Sequence, residues 1–153
     1  MAVEWEFRRQ EVLKEFRAAT VKALSGAAIV VQNEIKLTMG KHGSGRGGKP
    51  SPAGNPPAVQ TGALRRSIQT DLSQVETRLR ARVGSNLRYA RIQEFGGTIT
   101  AKNKPFLVFR LPDGSFRRVK RVRLPARPYM RPGLKNAKPK VRRIFAKLIE
   151  AAT

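Results

Sequence analysis

A stripe of apolar side chains at helical spacing runs through the first quarter of the sequence, from Trp5 to about Met39. Its members recur every three or four residues and include Val12, Phe16, Leu24, Ala27, Val31 and Ile35. This periodicity predicts one amphipathic helix of about 50 Å, since each residue adds about 1.5 Å. Such a helix is long for a chain of 153 residues, so we expect part of it to project or to pack against another copy. Gly26 within this helix marks either a place where another backbone approaches closely or a tolerated defect.

The charge of the chain is strongly positive and unevenly distributed. The 32 Lys and Arg against 10 Asp and Glu give a net charge of +22, and residues 101–153 hold 16 of the bases and 2 of the acids. Residues 1–40 are nearly balanced, with 6 bases and 5 acids. Self-repulsion on this scale favours an anionic partner or acidic neighbouring subunits. Because no base-reading motif is present, contact with nucleic acid would be to backbone phosphates without sequence preference.

The composition argues against several classes of site. Cysteine is absent, which removes disulfides, thiolate metal sites and cysteine nucleophiles. The lone His42 lies in a Gly-rich segment and is better explained as a solvated loop residue than as a catalytic or metal-binding group. A meeting of carboxylates such as Asp71 and Glu94 has no support in their spacing. We therefore predict a protein that is not an enzyme and uses no metal, cofactor or small-molecule substrate.

The N-terminus lacks the apolar core of a signal peptide, and no window contains the roughly 18 apolar residues that span a bilayer. We expect a soluble protein without a membrane partner. Residues 40–58, GKHGSGRGGKPSPAGNPPA, predict a flexible Gly/Pro-rich loop. Gly43 to Lys49 fit the spacing G-x-x-x-x-G-K, but Pro50 follows where Ser or Thr is needed. A phosphate-binding loop is disfavoured, because no strand precedes the segment and no helix can follow it.

The rest of the chain alternates short strands and helices. Thr61 is a plausible N-cap for a short helix ending near Ile68, and strands are expected over 69–73 and 75–83. The second strand alternates between two kinds of side chain. One face is cationic, with Arg78, Arg80 and Arg82, and the other faces the core, with Thr77, Leu79, Ala81 and Val83. A short helix from about Arg88 to Phe95, ended by glycine, should follow.

A basic hairpin is predicted over residues 104–124. Its strands cover Phe106 to Leu111 and Ser115 to Leu124, joined by a Pro112-Asp113-Gly114 turn, and a further strand covers Thr98 to Ala101. One arm of the hairpin would align the candidate contacts for DNA or an acidic partner, which are Arg117, Arg118, Lys120, Arg121 and Arg123. A solvated face is the simpler explanation for any single charge run.

Prolines from Pro125 to Pro132 end the sheet, and a closing amphipathic helix is marked by Leu134, Ala137, Val141, Ile144 and Leu148. Pro139 should kink or restart that helix. Together these elements predict an α+β fold of one domain over residues 1–153, in which a long N-terminal helix and a C-terminal helix pack on a small, mostly antiparallel sheet.

Four segments in this order, TGALRRSI, the strand ending RVGSN, YARIQEFGGTI and LPARPYMRPGL before a terminal helix, resemble the neck and tail-completion proteins of tailed bacteriophages. These form the virion morphogenesis family of minor tail and head-tail joining components, and the resemblance covers about residues 5 to 150. The blocks correspond to Thr-Gly-x-Leu-Arg-x-Ser-Ile, Tyr-Ala-x-x-x-Glu-Phe-Gly and Pro-Ala-Arg-Pro-Phe-Leu. Here Tyr129-Met130 replaces Phe-Leu.

The resemblance implies a homo-oligomeric ring at the phage neck or the top of the tail, linking connector to tail tube, in contact with other neck and tail proteins and with DNA in the channel. Its location would be the virion, after assembly in the bacterial cytoplasm. The residues expected to hold the subunit edge are Tyr89, Glu94, Phe95, Gly96, Gly97, Arg127 and Pro128. Tyr89, Ile92 and Phe95 would pack a short helix onto the sheet, and Glu94 would pair with Arg127. The alternative is a basic protein that binds or compacts nucleic acid or associates with ribosomes.

Overall fold

The computed structural model describes residues 9–40, 50–75, 78–111 and 113–151. The helices in these ranges are α1 (Arg9–Gly40), α2 (Ala63–Arg66), α3 (Ala90–Phe95) and α4 (Met130–Glu150). The strands are β1 (Ile68–Val75), β2 (Arg78–Ser85), β3 (Gly97–Thr100), β4 (Leu107–Arg110), β5 (Phe116–Val119) and β6 (Arg121–Leu124). The α+β class, with long helices at both ends of the chain and antiparallel strands between them, is confirmed.

The main contact of the fold is between α1 and α4, and small side chains bring the two helices close together. Ala23, Ala27 and Ala28 of α1 and Ala137 of α4 are buried. At Gly133 the approach is closest, because a Cβ there would lie 2.6 Å from the Cα of Ile35. Gly26, in contrast, has nothing within 4 Å of its Cβ position. Within the chain, therefore, the close approach is at Gly133 and not at Gly26.

The core joins the two helices to the first strand pair. Ile35 and Met39 from the end of α1, Ile68 from β1 and Tyr129 just before α4 are each at most 2% exposed. Half-buried side chains from α2, β2 and the preceding loop surround them. Each fully buried apolar side chain contributes about 1.5–3 kcal/mol. This cluster fixes α4 relative to α1.

The strands form three separate antiparallel pairs. β1 pairs with β2 in the register Ile68↔Ser85 to Val75↔Arg78, and the predicted alternation holds: Arg78, Arg80 and Arg82 are exposed, whereas Leu79, Ala81 and Val83 are half-buried. Helix α4 runs through Pro139 as one element.

The basic hairpin predicted over 104–124 is wrong in its second arm. The returning segment bends at Lys120 and divides into two strands with different partners: β5 pairs with β4, and β6 pairs with β3. The segment divides because its two halves form backbone hydrogen bonds with different strands. Between the halves, the carbonyl of Lys120 accepts the N–H of Ala101 at 3.2 Å. Pro112 of the predicted turn lies outside the described residues.

The second half of the predicted flexible loop is anchored to the rest of the fold. Ser51 and Pro57 are buried, and the N–H of Gly54 donates to the carbonyl of Ala126 at 2.9 Å. The prediction therefore needs correcting for residues 50–58, since these backbone groups find fixed partners. Residues 41–49, with His42 and the G-x-x-x-x-G-K spacing, lie outside the described residues.

Candidate functional site

The block YARIQEFGG forms α3 and the glycine turn that ends it. Gly96 has a φ of 68° and Gly97 a φ of 150°, both unfavourable for other residues. A Cβ on Gly96 would also lie 2.7 Å from the backbone nitrogen of Ala126. The predicted glycine cap is confirmed, and it has a second purpose: the bare Cα of Gly96 lets the segment before α4 lie directly against the turn.

The carboxylate of Glu94 caps the N-terminus of α4. It accepts the backbone N–H groups of Tyr129 at 2.7 Å, Met130 at 2.9 Å and Arg131 at 3.2 Å, and Glu94 is only 6% exposed. The first N–H groups of a helix have no partner within it, and the helix dipole favours an anion there. Tyr129 makes no side-chain cap of its own. A side chain 35 residues earlier in the chain therefore supplies the cap.

The expected ion pair between Glu94 and Arg127 is wrong, although both residues belong to this junction. Glu94 is occupied by the helix N–H groups. The Nε of Arg127 donates to the carbonyl of Ser51 at 2.8 Å, and its backbone N–H donates to the carbonyl of Gln93 at 2.7 Å. Pro128, half-buried, lies between Arg127 and Tyr129. We call this arrangement, centred on Glu94, Gly96, Arg127 and Tyr129, the α3–α4 junction.

The expectation that Tyr89 and Phe95 pack α3 onto the sheet is also wrong. Tyr89 is 43% exposed and Phe95 57% exposed, and the guanidinium of Arg131 lies 5.2 Å from the ring centre of Phe95. The buried residues of α3 are Ala90 and Glu94. The inner face of α3 meets the polar start of α4, so a small residue and a carboxylate are buried there instead of aromatic rings.

Tyr129 is the buried aromatic residue of the junction. It is 2% exposed, and its hydroxyl lies 3.4 Å from the carbonyl oxygen of Ala90. Burial, and to a smaller extent the negative charge of Glu94, raise the pKa of Tyr129 to about 12. The phenol therefore stays neutral at physiological pH, and its position here is structural.

The five candidate contact cations are all exposed, but they do not form one row. Arg117 and Arg118 lie on opposite faces of β5, where they pair with Phe109 and Val108 of β4. Lys120 occupies the bend. Arg121 and Arg123 share one face of β6, beside the paired Thr100 and Thr98. The change of partner at Lys120 thus divides the cations into two groups.

Exposed apolar side chains are spread over the described structure, and two parts of it carry several each. The first is the arm, defined as residues 9–18 of α1, all of which are exposed. It presents Val12, Leu13 and Phe16 at 50%, 57% and 54% exposure. The second is the tip hairpin, defined as β4, β5 and the residues that join them. Its exposed apolar residues include Val108 and Phe116, the latter 73% exposed.

An apolar groove of about 390 Å³ lies between α1, β2 and α4. Its lining comprises Leu24, Ala27, Ala28, Val31 and Ile35 of α1, Ala81 and Val83 of β2, and Met130, Arg131, Leu134, Val141 and Phe145 of α4. Leu134 is 48% exposed within it. The groove is concave and apolar, whereas the arm and the tip hairpin are apolar surfaces that protrude.

Two structural roles were not predicted from the sequence: the capping of α4 by Glu94 and the close approach of α1 and α4 at Gly133. Each has a signal in the sequence. Helix α4 begins without Ser, Thr, Asp or Asn at its N-cap, which indicates a cap from elsewhere in the chain. A glycine inside a helix opposes helix propensity, so it often has a packing reason.

Groups of three or more His, Asp or Glu placed to hold a metal ion are absent from the described ranges. Across these same ranges, no helix combines the length and the apolar character needed to cross a bilayer.

Comparison with known protein families finds two matches that together cover most of the chain. The phage virion morphogenesis family matches residues 54–150, which contain both sides of the α3–α4 junction and all of α4. The tail-component family of bacteriophage HK97-gp10 matches residues 6–96, which contain α1 and α3. No curated protein and no solved structure matches the chain. The chain belongs to the phage virion morphogenesis family and is a structural tail protein of a tailed bacteriophage.

Proposed function

We propose that this protein forms a homo-oligomeric ring at the head-tail neck or the top of the tail, where it joins the connector to the tail tube around the DNA channel. It works as a structural subunit and not as a catalyst. The observation that carries the proposal is a contrast within the subunit. The polar groups of the α3–α4 junction are paired inside it, whereas the arm and the tip hairpin expose apolar side chains. The Glu94 carboxylate and the backbone N–H of Tyr129 satisfy one another inside the subunit, whereas Leu13 and Phe116 lie exposed and suited to contacts with other subunits.

Closed cyclic symmetry suits a part that surrounds a DNA duplex, because head-to-tail contacts close into a ring without unpaired ends. A net charge of +22 on a chain of this size gives the ring a strong field for a polyanion. Arg121 and Arg123, side by side on β6, supply two cations on one face for DNA or for an acidic neighbour. Arg117 and Arg118 of the tip hairpin, with Lys120 at the bend, form a second group of cations for the same kind of partner. Assembly in the bacterial cytoplasm and a final place in the virion follow from this function.

Electron microscopy of purified particles tests the ring. We expect density for this protein as an annulus at the head-proximal end of the tail, and tails made without it should fail to join heads. Particles that lack the protein, or that carry it only at the distal tip, would overturn the proposal.

A second candidate function, nonspecific binding or compaction of nucleic acid by the free protein, is favoured by the net charge alone. Salt titration of duplex DNA binding separates the two functions. Tight binding by a monomer, together with absence from particles, would support compaction.

The contact cations are tested by a matched pair of double variants. Arg121→Gln with Arg123→Gln should reduce the slope of log affinity against log salt by up to about 1.8, since each phosphate contact contributes about 0.9. The control, Arg80→Gln with Arg82→Gln, removes the same charge from exposed positions on β2. Equal losses in both variants would show that net charge alone determines binding, and β6 would lose its assigned role.

A further inference from the structure

The arm and the groove form a complementary pair on the same chain. The arm is convex and apolar at Val12, Leu13 and Phe16, and the groove is concave and apolar, with Leu134 half-exposed at its α4 wall. An apolar patch left in water is unfavourable by about 25 cal/mol for each Å². Both surfaces therefore gain from a partner.

The arm cannot fill the groove of its own chain. Leu24, Val31 and Ile35 of the groove and Leu13 of the arm lie on the same helix, α1. Leu13 and Leu24 are eleven residues apart, about 16 Å along a rigid helix. Reaching its own groove would require the helix to break and fold back. An arm that occupies the groove must therefore come from another molecule.

The charge around the groove indicates which apolar surface can enter it. The α4 side of the groove carries Arg131, and Lys138 and Arg142 follow Leu134 at helical spacings of four and eight; all three cations are exposed. Such a rim repels most of this strongly basic chain. The arm is nearly neutral, because three bases in residues 9–18 are offset by Glu11 and Glu15.

The tip hairpin is less suited to the same groove. From residue 107 to residue 119 it has three bases, Arg110, Arg117 and Arg118, against the single acid Asp113. Like charges brought together at an interface are destabilising, and complementary charge selects the partner. Of the two protruding apolar surfaces, the arm fits a cationic groove better.

We propose that the groove between α1, β2 and α4 of one copy receives the arm of a second copy. This inference rests on the proposed self-assembly and names its contact. Arm and groove are different surfaces, so each copy offers one arm and accepts another, and the proposed ring requires the head-to-tail, heterologous arrangement of this contact. Repetition of such a contact gives a closed ring if the rotation closes and a filament if it does not.

Cysteine pairing tests the contact directly, since the natural chain has no cysteine. Leu13→Cys and Leu134→Cys are purified separately, mixed in equal amounts and oxidised. We expect a disulfide-linked dimer of the two variants in yields at least about tenfold above either variant alone. The matched control, Phe116→Cys mixed with Leu134→Cys, probes the tip hairpin as the occupant. Preferential linkage of that control pair would overturn the arm as occupant.

Mixing of defective copies tests the heterologous character. Phe16→Glu spoils the arm and leaves the groove intact, whereas Leu134→Glu spoils the groove and leaves the arm intact. Each alone should need at least about tenfold more protein to assemble, as expected for a central interface residue. The mixture should form one-to-one pairs that grow no further. Circular dichroism controls for folding, since both residues are half-exposed and their replacement should preserve the helix content.

The outcomes separate this inference from the proposed function. If the wild-type protein forms rings and the Phe16→Glu variant forms them equally well, the arm contact is wrong and the ring survives. If the wild-type protein stays monomeric at high concentration and is absent from particles, both are wrong.

Discussion

The α3–α4 junction and the arm make opposite use of their side chains. At the junction, Glu94 is 6% exposed and each of its oxygens receives a backbone donor, and Tyr129 is buried beside it. In the arm, ten successive residues are exposed and three of them are large and apolar. The comparison teaches that the α3–α4 junction pairs its polar groups within the subunit, whereas the arm leaves large apolar side chains exposed. Variants can therefore be assigned in advance to folding or to assembly.

The largest expected effect comes from Gly133. Replacing it with Val places a Cβ 2.6 Å from the Cα of Ile35, so α1 and α4 must separate. We expect a loss of at least about 3 kcal/mol in the free energy of unfolding, measured by urea denaturation.

The control for Gly133 is Gly26→Ala, also in a helix but with open space around it. That change should increase the free energy of unfolding by up to about 1 kcal/mol, because Ala has the higher helix propensity. Equal losses in the two variants would contradict close packing at Gly133.

The next effect is expected at Glu94. Glu94→Ala leaves three backbone N–H groups at the start of α4 without their acceptor, and we expect a loss of about 2–4 kcal/mol in the free energy of unfolding. Glu94→Gln retains one acceptor oxygen and should lose less. Amide exchange at residues 129–131 locates the effect. If Ala and Gln were equally mild and these amides stayed protected, the capping role would be wrong.

A smaller effect is expected from the ionisation of Tyr129. Its pKa of about 12 in the folded protein lies above the value of about 10 in an unfolded chain. The neutral phenol therefore stabilises the fold below pH 10, and this contribution is lost as the pH rises toward 12. Ultraviolet titration should show a tyrosine step near pH 12 that Tyr129→Phe removes.

Tyr129→Phe is the control for that titration. Lysines also lose charge in this range, so the stability of the wild-type protein must be compared with that of the Phe variant at each pH. An equal decline in both would contradict a role for Tyr129.

The smallest effect on folding is expected in the protrusions. Phe116→Ser and Leu13→Ser change exposed side chains, and each should alter the free energy of unfolding by less than about 0.5 kcal/mol. Self-association, followed by analytical ultracentrifugation, should weaken for Leu13→Ser. A loss of stability comparable with that of Glu94→Ala would show that the protrusions belong to the folded core.

Local patterns were sufficient to predict much of the fold. The period of α1, the alternation in β2, the glycine at position 96 and the closing helix are each written in residues close together in sequence. The tail-protein family was also predicted, from four short blocks in order, and both family matches agree with it.

Pairings between distant residues were not predictable in the same way. Nothing local to Glu94 specifies that it caps a helix beginning at Met130. Likewise, the run from Ser115 to Leu124 looks continuous as a strand, and its division at Lys120 depends on which neighbour each half meets. The exposure of Tyr89 and Phe95 depends on what α3 packs against, so their apolar character alone misled.

Amide hydrogen exchange, compared between the isolated subunit and purified tails, tests the division between body and protrusions most directly. In the isolated subunit we expect slow exchange near Ile35 and Tyr129 and fast exchange in the tip hairpin, because a lone two-stranded hairpin is marginally stable. In tails, the arm, the tip hairpin and the walls of the groove should gain protection, while the α3–α4 junction stays as it was. Unchanged protrusions in tails, or new protection confined to the body, would contradict the assignment of these surfaces to assembly.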